Sequence, residues 1–454
     1  MNHTCRLAVG FLAALLGSVA LFAQNAVDIK PSPQQVAWQD LEFGVIIHFS
    51  TNTFLDQEWG DGTADPKVFN PTGFNPDQWM KAIRDAGAKY VVLVAKHHDG
   101  FCLWPTDQTN YSVKSSPWMD GKGDVVGAVA KAARKYGLKF GVYLSPWDRH
   151  EPKYKNNAAY DDYYQAELSE LASNYGDLVE FWLDGAGSGG HIYNFPRIIE
   201  TLRMYQPNTI VFADAALFEY GDARWVGNEA GRVSYENWNV LDRHGYLRWR
   251  PVEADTPLHD KHWFFHPNDE DTLKSLSELL TTYDDTVGRG AQLMLGLAPD
   301  RRGLLPDADV ARLEEFGKAL HERYGKSSDL AIHHEAVGAN EEAALDGDED
   351  TFWSAPAGSH HSALVVSFAK PVTFDRALTM EWLNDGQRVE KYSIDVWTGT
   401  KWKAVAAAQA IGHKKIDIFA PVTASRVRLN ILSSTDAAEI REFQLFNVKD
   451  KAVR

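Results

Sequence analysis

At 454 residues, 44% hydrophobic and 24% charged, the chain has the composition of an ordinary globular protein long enough for two or three domains. A formal net charge of −16 at pH 7 argues against nucleic acid or an anionic membrane surface as partner. Fifteen Trp, seventeen Tyr and sixteen His suit clefts in which sugar C–H faces stack on rings, although many of these residues must be core.

Residues 1–23 read as a secretory signal. Arg6 is the one full side-chain charge, an apolar run extends from Leu7 to Phe22, and Ala23 offers a small residue at the cut. The run is short for a membrane span and no other candidate span follows. Export predicts a periplasmic or extracellular location. Cys5 leaves with the signal, so Cys102 remains alone and no intrachain disulfide can form.

The mature chain begins with a buried strand over residues 43–49. Asn75 can cap a helix ending at Gly87, with Pro76 in its first turn and Trp79 and Ile83 at helical spacing. A strand over 90–95 runs into Lys96, His97, His98, Asp99 and Gly100. A helix over 124–136, a strand over 140–144 and a long helix over 158–175 follow. Residues 179–183 then form a short buried strand that delivers Asp184 and stops at Gly185, before a loose glycine-rich stretch.

The alternation continues with a helix over 195–205, strands over 209–213 and 261–265, a helix over 273–287, a strand over 292–297 and a helix over 307–324. Strands alternating with helices over about 290 residues predict one (β/α)8-like TIM barrel, the catalytic domain, over 24–325. Between Asp214 and Pro257 no clear period appears, so the sixth strand is open and an irregular barrel is expected. Beyond a linker at 326–329 the period changes to two. Strands over 363–368, 392–397 and 425–431 predict a separate all-β sandwich over 330–450.

In a barrel the strand exits build one functional face. Here the exits carry His48, His97 and His98, Tyr143 and Trp147, and Asp184. Asp184 taken alone equally fits a cap of the next helix. Together the group describes a pocket rich in hydrogen-bond donors with one carboxylate nucleophile. A metal centre is the competing use of the histidines. His97 and His98 would point to opposite faces of a strand, and no third ligand or cysteine stands nearby, so neither metal nor cofactor is implied. Glycoside cleavage calls for a second carboxyl group. Glu229, among Trp225, Gly227 and Gly231, is the best candidate if buried; Glu58, Glu236, Glu253 and Asp255 are rivals.

Residues 44–48 (GVIIH), Glu58-Trp59, residues 96–101 (KHHDGF), residues 181–185 (FWLDG) and the segment 293–305 resemble the α-L-fucosidases of glycoside hydrolase family 29. The resemblance spans most of residues 36–325. It implies that Asp184 is the nucleophile and that His48, Glu58, Trp59, His97, His98 and Tyr143 bind fucose, with Trp263 as a further pocket aromatic. The segment 225–231 (WVGNEAG) resembles the acid/base segment of the branch selective for α-1,3/1,4-linked fucose, and its 45-residue spacing from Asp184 (229−184) agrees with that branch. Residues 232–236 depart from the branch pattern. The resemblance therefore implies Glu229 as acid/base, Trp225 beside the substrate, and a fucosylated oligosaccharide or glycoconjugate as partner. The C-terminal domain is similar to discoidin-like (F5/8 type C) modules, with residues 345–353 fitting its start. The reading is a secreted, retaining exo-α-L-fucosidase. A barrel glycosidase of other sugar specificity and a non-catalytic glycan-binding protein are its rivals.

Overall fold

The computed structural model describes residues 29–213, 221–243, 246–332 and 341–448. The signal expected at 1–23 lies outside these residues. A capping box between Ser32 and Gln35 starts α1 (Pro33–Gln39), which leads to β1 (Phe43–Ile47). Short α2 (Thr51–Leu55) and α3 (Pro76–Asp85) precede β2 (Tyr90–Lys96). Next come α4 (Val125–Lys135), β3 (Lys139–Leu144), α5 (Asn157–Asn174) and β4 (Glu180–Leu183). They are followed by α6 (Phe195–Tyr205), β5 (Ile210–Ala213) and β6 (Ala223–Trp225). A hairpin of β7 (Val240–Arg243) and β8 (Tyr246–Trp249) stands where the alternation calls for a helix. The barrel is completed by β9 (Val252–Pro257), α7 (Leu276–Thr286), β10 (Gln292–Leu297) and α8 (Asp307–Tyr324).

Eight of these strands close into a parallel barrel in the order β1-β10-β9-β6-β5-β4-β3-β2. Its helices start where side chains can satisfy orphan amides: Asn75, Asp124, Asn156 and Asn194 each accept a backbone N–H from the first turn of α3, α4, α5 and α6. Trp79 and Ile83 of α3, and Val125, Val129 and Ala133 of α4, then turn inward and are buried against the outside of the strands.

One sequence expectation fails in this region. No strand occupies 261–265; the strand is β9, with Val252, Ala254 and Thr256 alternating with Glu253 and Asp255. The carboxylates face the barrel bore, which is why the segment does not look apolar. There Glu253 accepts hydrogen bonds from the Trp182 indole (2.7 Å) and the Tyr90 hydroxyl (3.2 Å). Burial raises the carboxyls of both Glu253 and Glu180; Glu253 pushes Glu180 up further, while the hydrogen bond from Glu180 opposes the rise at Glu253, so the pair keeps a proton in the bore. Gly44 makes the room, since a Cβ there would overlap the Tyr90 ring.

The C-terminal β domain comprises β11 (Trp353–Ser354), β12 (Ser362–Glu381), β13 (Val389–Trp397), β14 (Trp402–Ala408), β15 (Lys415–Ser434) and β16 (Glu439–Phe446). They form one antiparallel sheet ordered β11-β16-β12-β15-β13-β14, and the pairing of the two 20-residue strands β12 and β15 shifts register twice. The domain has its own core, including Leu364, Tyr392, Ile394, Leu429 and Phe443. It meets the barrel along an apolar seam, where Leu378, Met380, Ile416 and Phe446 pack on Tyr283 and Tyr324. An ion cluster adds to this contact. Asp40 pairs with His413 (2.9 Å) and Arg441 (2.5 Å). Burial alone would raise the Asp40 carboxyl, but its hydrogen bonds and charge interactions with His413 and Arg441 outweigh that and hold it at about 2.

Candidate active site

The exits of β1 to β4 converge on one cavity. It is lined by His48, Glu58, Trp59, His97, His98, Tyr143, Asp184, Trp225, Glu229 and Trp263, with Ile46, Trp182, Ala186 and Asp255 completing its wall. Every residue that the family resemblance implicates therefore borders the same space, whereas Trp147 and the rival carboxyls Glu236 and Glu253 do not line it.

Asp184 follows β4 directly, and two donors orient its carboxylate. The Ala186 amide donates to Oδ1 (2.8 Å) and the Tyr143 hydroxyl to Oδ2 (2.8 Å). Asp184 does not cap α6, which begins after Asn194 with that residue's own side chain as the cap. Tyr143 is fixed in turn by its ring, which stacks on Trp182 (5.4 Å), itself stacked on Phe212 at 3.9 Å. A rigid aromatic column thus fixes one of the two donors that aim the carboxylate.

His97 and His98 do not point to opposite faces. β2 ends at Lys96, so both residues lie beyond the pleat, and their rings sit 4.2 Å apart at the pocket. Burial pushes the pKa of His48 down to about 3 and that of His97 well below its usual value, while His98 is lowered less because Asp184 opposes the shift. The three rings are therefore neutral near pH 7 and act as hydrogen-bonding groups. The Ser145 hydroxyl donates to the Trp147 carbonyl (2.7 Å), so its oxygen accepts from Nδ1–H of His98 (2.7 Å). That leaves the His98 Nε2 lone pair at the pocket, 3.6 Å from Asp184, where an incoming hydroxyl can donate to it. Among the described residues no group of three His, Cys, Asp or Glu is arranged to hold a metal ion.

Lys96, immediately before the histidines, carries the buried support of this wall. Its ammonium meets Asp148 (3.0 Å) and Glu167 (2.5 Å) with no solvent exposure, tying the exits of β2 and β3 to α5. Trp59 is half exposed and packs edge-on against His98 (5.2 Å) and Trp147 (5.5 Å), forming part of the rim.

Glu58 acts as a strut. It accepts the amides of Trp263 (2.9 Å) and Phe264 (3.1 Å) and pairs with His266 (2.6 Å). Those contacts hold Trp263 in the loop after β9, against His48 at 5.2 Å. His266 is bridged to Asp56 as well (2.5 Å); burial would lower its pKa, but the two carboxylates raise it on balance. Sequence reading missed His266, because nothing in one dimension brings it to a glutamate 208 positions away.

Glu229 is not buried, contrary to the sequence expectation. Gly227, Asn228 and Ala230 are too small to cover it, and the stretch 227–230 stands exposed at the mouth of the pocket. Its ends are anchored to the barrel, and within it the Asn228 side chain accepts the Ala230 amide (3.0 Å) and donates to the Arg232 carbonyl (3.3 Å). The Val226 amide donates to the Glu253 carbonyl (3.0 Å) and the Gly231 amide to the Asp255 carbonyl (3.0 Å). The Trp225 indole donates to the Asp255 carboxyl (2.7 Å). Burial raises the Asp255 carboxyl strongly, with Glu229 and Glu253 adding to the effect. Asp255 is thus a neutral acid in the pocket wall that steadies Trp225.

A carboxylate oriented by a buried tyrosine, beside neutral imidazoles and aromatic rims, is a constellation suited to a neutral sugar. Comparison with known proteins agrees. Residues 63–326 match the family model for alpha-L-fucosidase, and residues 325–443 match that for the F5/8 type C domain. Alpha-L-fucosidase 1 of Arabidopsis thaliana is 34% identical over 91% of this chain and 87% of its own length. Tissue alpha-L-fucosidase of Bos taurus is 26% identical over 72% and 73%. The structure of a glycoside hydrolase family 29 fucosidase from Ruminococcus gnavus in complex with fucose superposes with a TM-score of 0.84 at 26% identity, covering 92% of this chain and 95% of that one. The barrel, the pocket at its strand exits and these similarities together place the chain in the alpha-L-fucosidase family, glycoside hydrolase family 29, with an F5/8 type C domain at its C-terminal end.

Proposed function

We propose that the chain is an exported, retaining exo-α-L-fucosidase that removes terminal fucose from α-1,3/1,4-linked, Lewis-type glycans. The observation that carries this reading is the carboxylate of Asp184, held by two donors in the same cavity that Glu229 borders. Asp184 attacks the anomeric carbon and forms a glycosyl-enzyme, while Glu229 protonates the departing sugar oxygen. Glu229 then takes a proton from water, which releases fucose with its configuration retained. The neutral histidines and the indoles of Trp59 and Trp263 bind the fucose ring. Trp182 and Ile46 close the floor, which favours a terminal residue over an internal one.

A non-catalytic glycan-binding protein would need the pocket but neither orienting bond on Asp184. A glycosidase for another sugar would keep both carboxyl groups and alter the wall. In a fucose-bound state the two carboxyl groups should stand about 5–5.5 Å apart, the separation a double displacement requires.

The linkage preference rests on the segment 225–231 and on the exposure of Glu229. An acid at the pocket mouth gains its dry environment from the rest of the glycan, so binding energy from the neighbouring sugar orders the loop before proton transfer. Branched α-1,3/1,4-fucosylated trisaccharides are therefore expected to be cleaved with higher kcat/KM than an α-1,2-linked disaccharide or a simple aryl fucoside. Trp225→Ala should lower kcat as well as raise KM, and should harm the branched substrate more than the aryl one. Equal rates on all three wild-type substrates would remove the linkage preference and leave the hydrolase in place.

A further inference from the structure

The loop that bears Glu229 is exposed from 227 to 230, and Gly227 sits at φ 92 in open space, so its position is set by what holds its ends. The incoming end belongs to the barrel through β6 and Asp255. The outgoing end is held from two sides: at Gly231 by the barrel, whose Asp255 carbonyl accepts the Gly231 amide (3.0 Å) and whose Thr286 hydroxyl donates to the Gly231 carbonyl, and farther along by the second domain. After Gly231, the Val233 amide reaches Asp285 (3.1 Å) and the Val233 carbonyl accepts from Arg289 (2.6 Å). From Tyr235 onward the partners come largely from the β domain. The Tyr235 hydroxyl donates to Asp417 (2.6 Å), and Lys415 lies over the Tyr235 ring (3.4 Å) and donates to its carbonyl. The Glu236 carboxylate accepts the amides of Gln409 (3.0 Å) and Ala410 (2.9 Å). Asn239 donates its amide and its side chain to Gln387 (3.0 and 3.1 Å).

This seam is built rather than casual. Asp417 is fully buried, and its second oxygen accepts from the Tyr392 hydroxyl (2.8 Å). β15 also joins the barrel as a β-bridge between Arg289 and Lys415, and the Ile416 amide donates to the Gly288 carbonyl (2.8 Å). Arg289, which carries Val233, is therefore itself fixed by the second domain. Apolar residues would dock two domains without burying a carboxylate; a satisfied polar network of this kind sets register.

We propose that the F5/8 type C domain is a positioning element of the hydrolytic site: Asp417 and Lys415 of β15 hold Tyr235, and through the segment 231–236 they set where the Glu229 loop stands. The proposal rests on the reading of Glu229 as acid/base. Displacing a catalytic group by about 1 Å can cost on the order of a hundredfold, so a single lost anchor six residues away is expected to cost about tenfold. The loss should follow the need for a proton. A sugar leaving group depends on the acid, whereas an activated nitrophenolate departs without it.

The test compares full-length Tyr235→Phe, Asp417→Ala and the double variant with Glu229→Gln. Substrates are a fucosylated trisaccharide and 2-chloro-4-nitrophenyl α-L-fucoside, with unfolding midpoints measured alongside. The expected result is an approximately tenfold lower kcat/KM on the trisaccharide for Tyr235→Phe and for Asp417→Ala, with the aryl fucoside within about twofold. The double variant should be no worse than Asp417→Ala alone, because both changes remove the same hydrogen bond. Equal losses on both substrates, or no loss on either, would overturn the positioning role. If Glu229→Gln itself shows no leaving-group dependence, the acid assignment fails, and the role proposed for the second domain fails with it. If Glu229→Gln shows the dependence and the Tyr235 and Asp417 variants do not, only the positioning role falls.

Discussion

Asp184→Asn is expected to lower kcat on the order of ten-thousand-fold or more while leaving the fold intact. The side chain is 18% exposed at the pocket rim, so its replacement opens no core cavity. Asparagine can still accept the Ala186 amide, but it offers no anion to attack the anomeric carbon, and toward Tyr143 it presents an N–H donor in place of the acceptor oxygen. Asp184→Ala removes the same step and leaves space for a small anion. Azide should therefore restore part of the turnover of that variant and give a fucosyl azide of inverted configuration. Steady-state kinetics with an aryl fucoside, with and without azide, measures both effects. Hydrolysis near the wild-type rate in either variant would contradict the assignment.

The second large effect is on stability. Lys96→Met removes the cation from a site where it has no solvent exposure and leaves Asp148 and Glu167 buried together. Breaking a buried pair in this way costs about 3–5 kcal/mol, a large share of the roughly 5–15 kcal/mol that holds a domain together. The loss should depend on pH with a definite sign. Burial already raises the Glu167 carboxyl above its usual value, and Lys96 is what opposes that shift. Without Lys96 the folded-state value rises further above the unfolded one. Stability is then largest at low pH, where Glu167 is protonated in both states, and falls as pH rises through the folded-state value. Denaturant unfolding at pH 5 and pH 8 should show the larger deficit at pH 8. A deficit below about 1 kcal/mol at both would mean that the carboxylates find other partners. Because Lys96 also anchors the turn of His97 and His98, the surviving folded enzyme should bind substrate more weakly.

How much of this could be read in advance depended on which side of the barrel wall a residue faces. Helices whose apolar stripe lies on the strands, such as α3 and α8, announce themselves by cap or period, and their bounds follow from Asn75 and from the repeat of Val310, Leu313 and Phe316. β4 is equally plain, because four apolar or aromatic neighbours deliver Asp184. β9 is hidden because its inward positions are Glu253 and Asp255, carboxyls whose buried, hydrogen-bonded state exists only once Tyr90, Trp182 and Trp225 surround them. β6 is three residues long, too short for any period to show. The His97–His98 pair was misread for a related reason: alternation holds within a strand, and these residues lie one step beyond its end. Glu229 could be located from its motif, but its exposure depends on what the loop fails to cover. The sequence offered Glu236 only as a rival acid and gave no sign of what holds it or Tyr235, since their partners lie more than 170 positions away in another domain.

In the proposed mechanism Asp184 forms the covalent bond to fucose. A 2-deoxy-2-fluoro-fucosyl fluoride slows both steps, but its fluoride leaves without a proton, so a glycosyl-enzyme accumulates. Digestion and mass spectrometry of the inactivated enzyme should then find one adduct, on the peptide containing Asp184, and Asp184→Asn should take up no label. An adduct on Glu58, Glu229 or Asp255, or turnover without any adduct and with inverted fucose by NMR, would contradict the account.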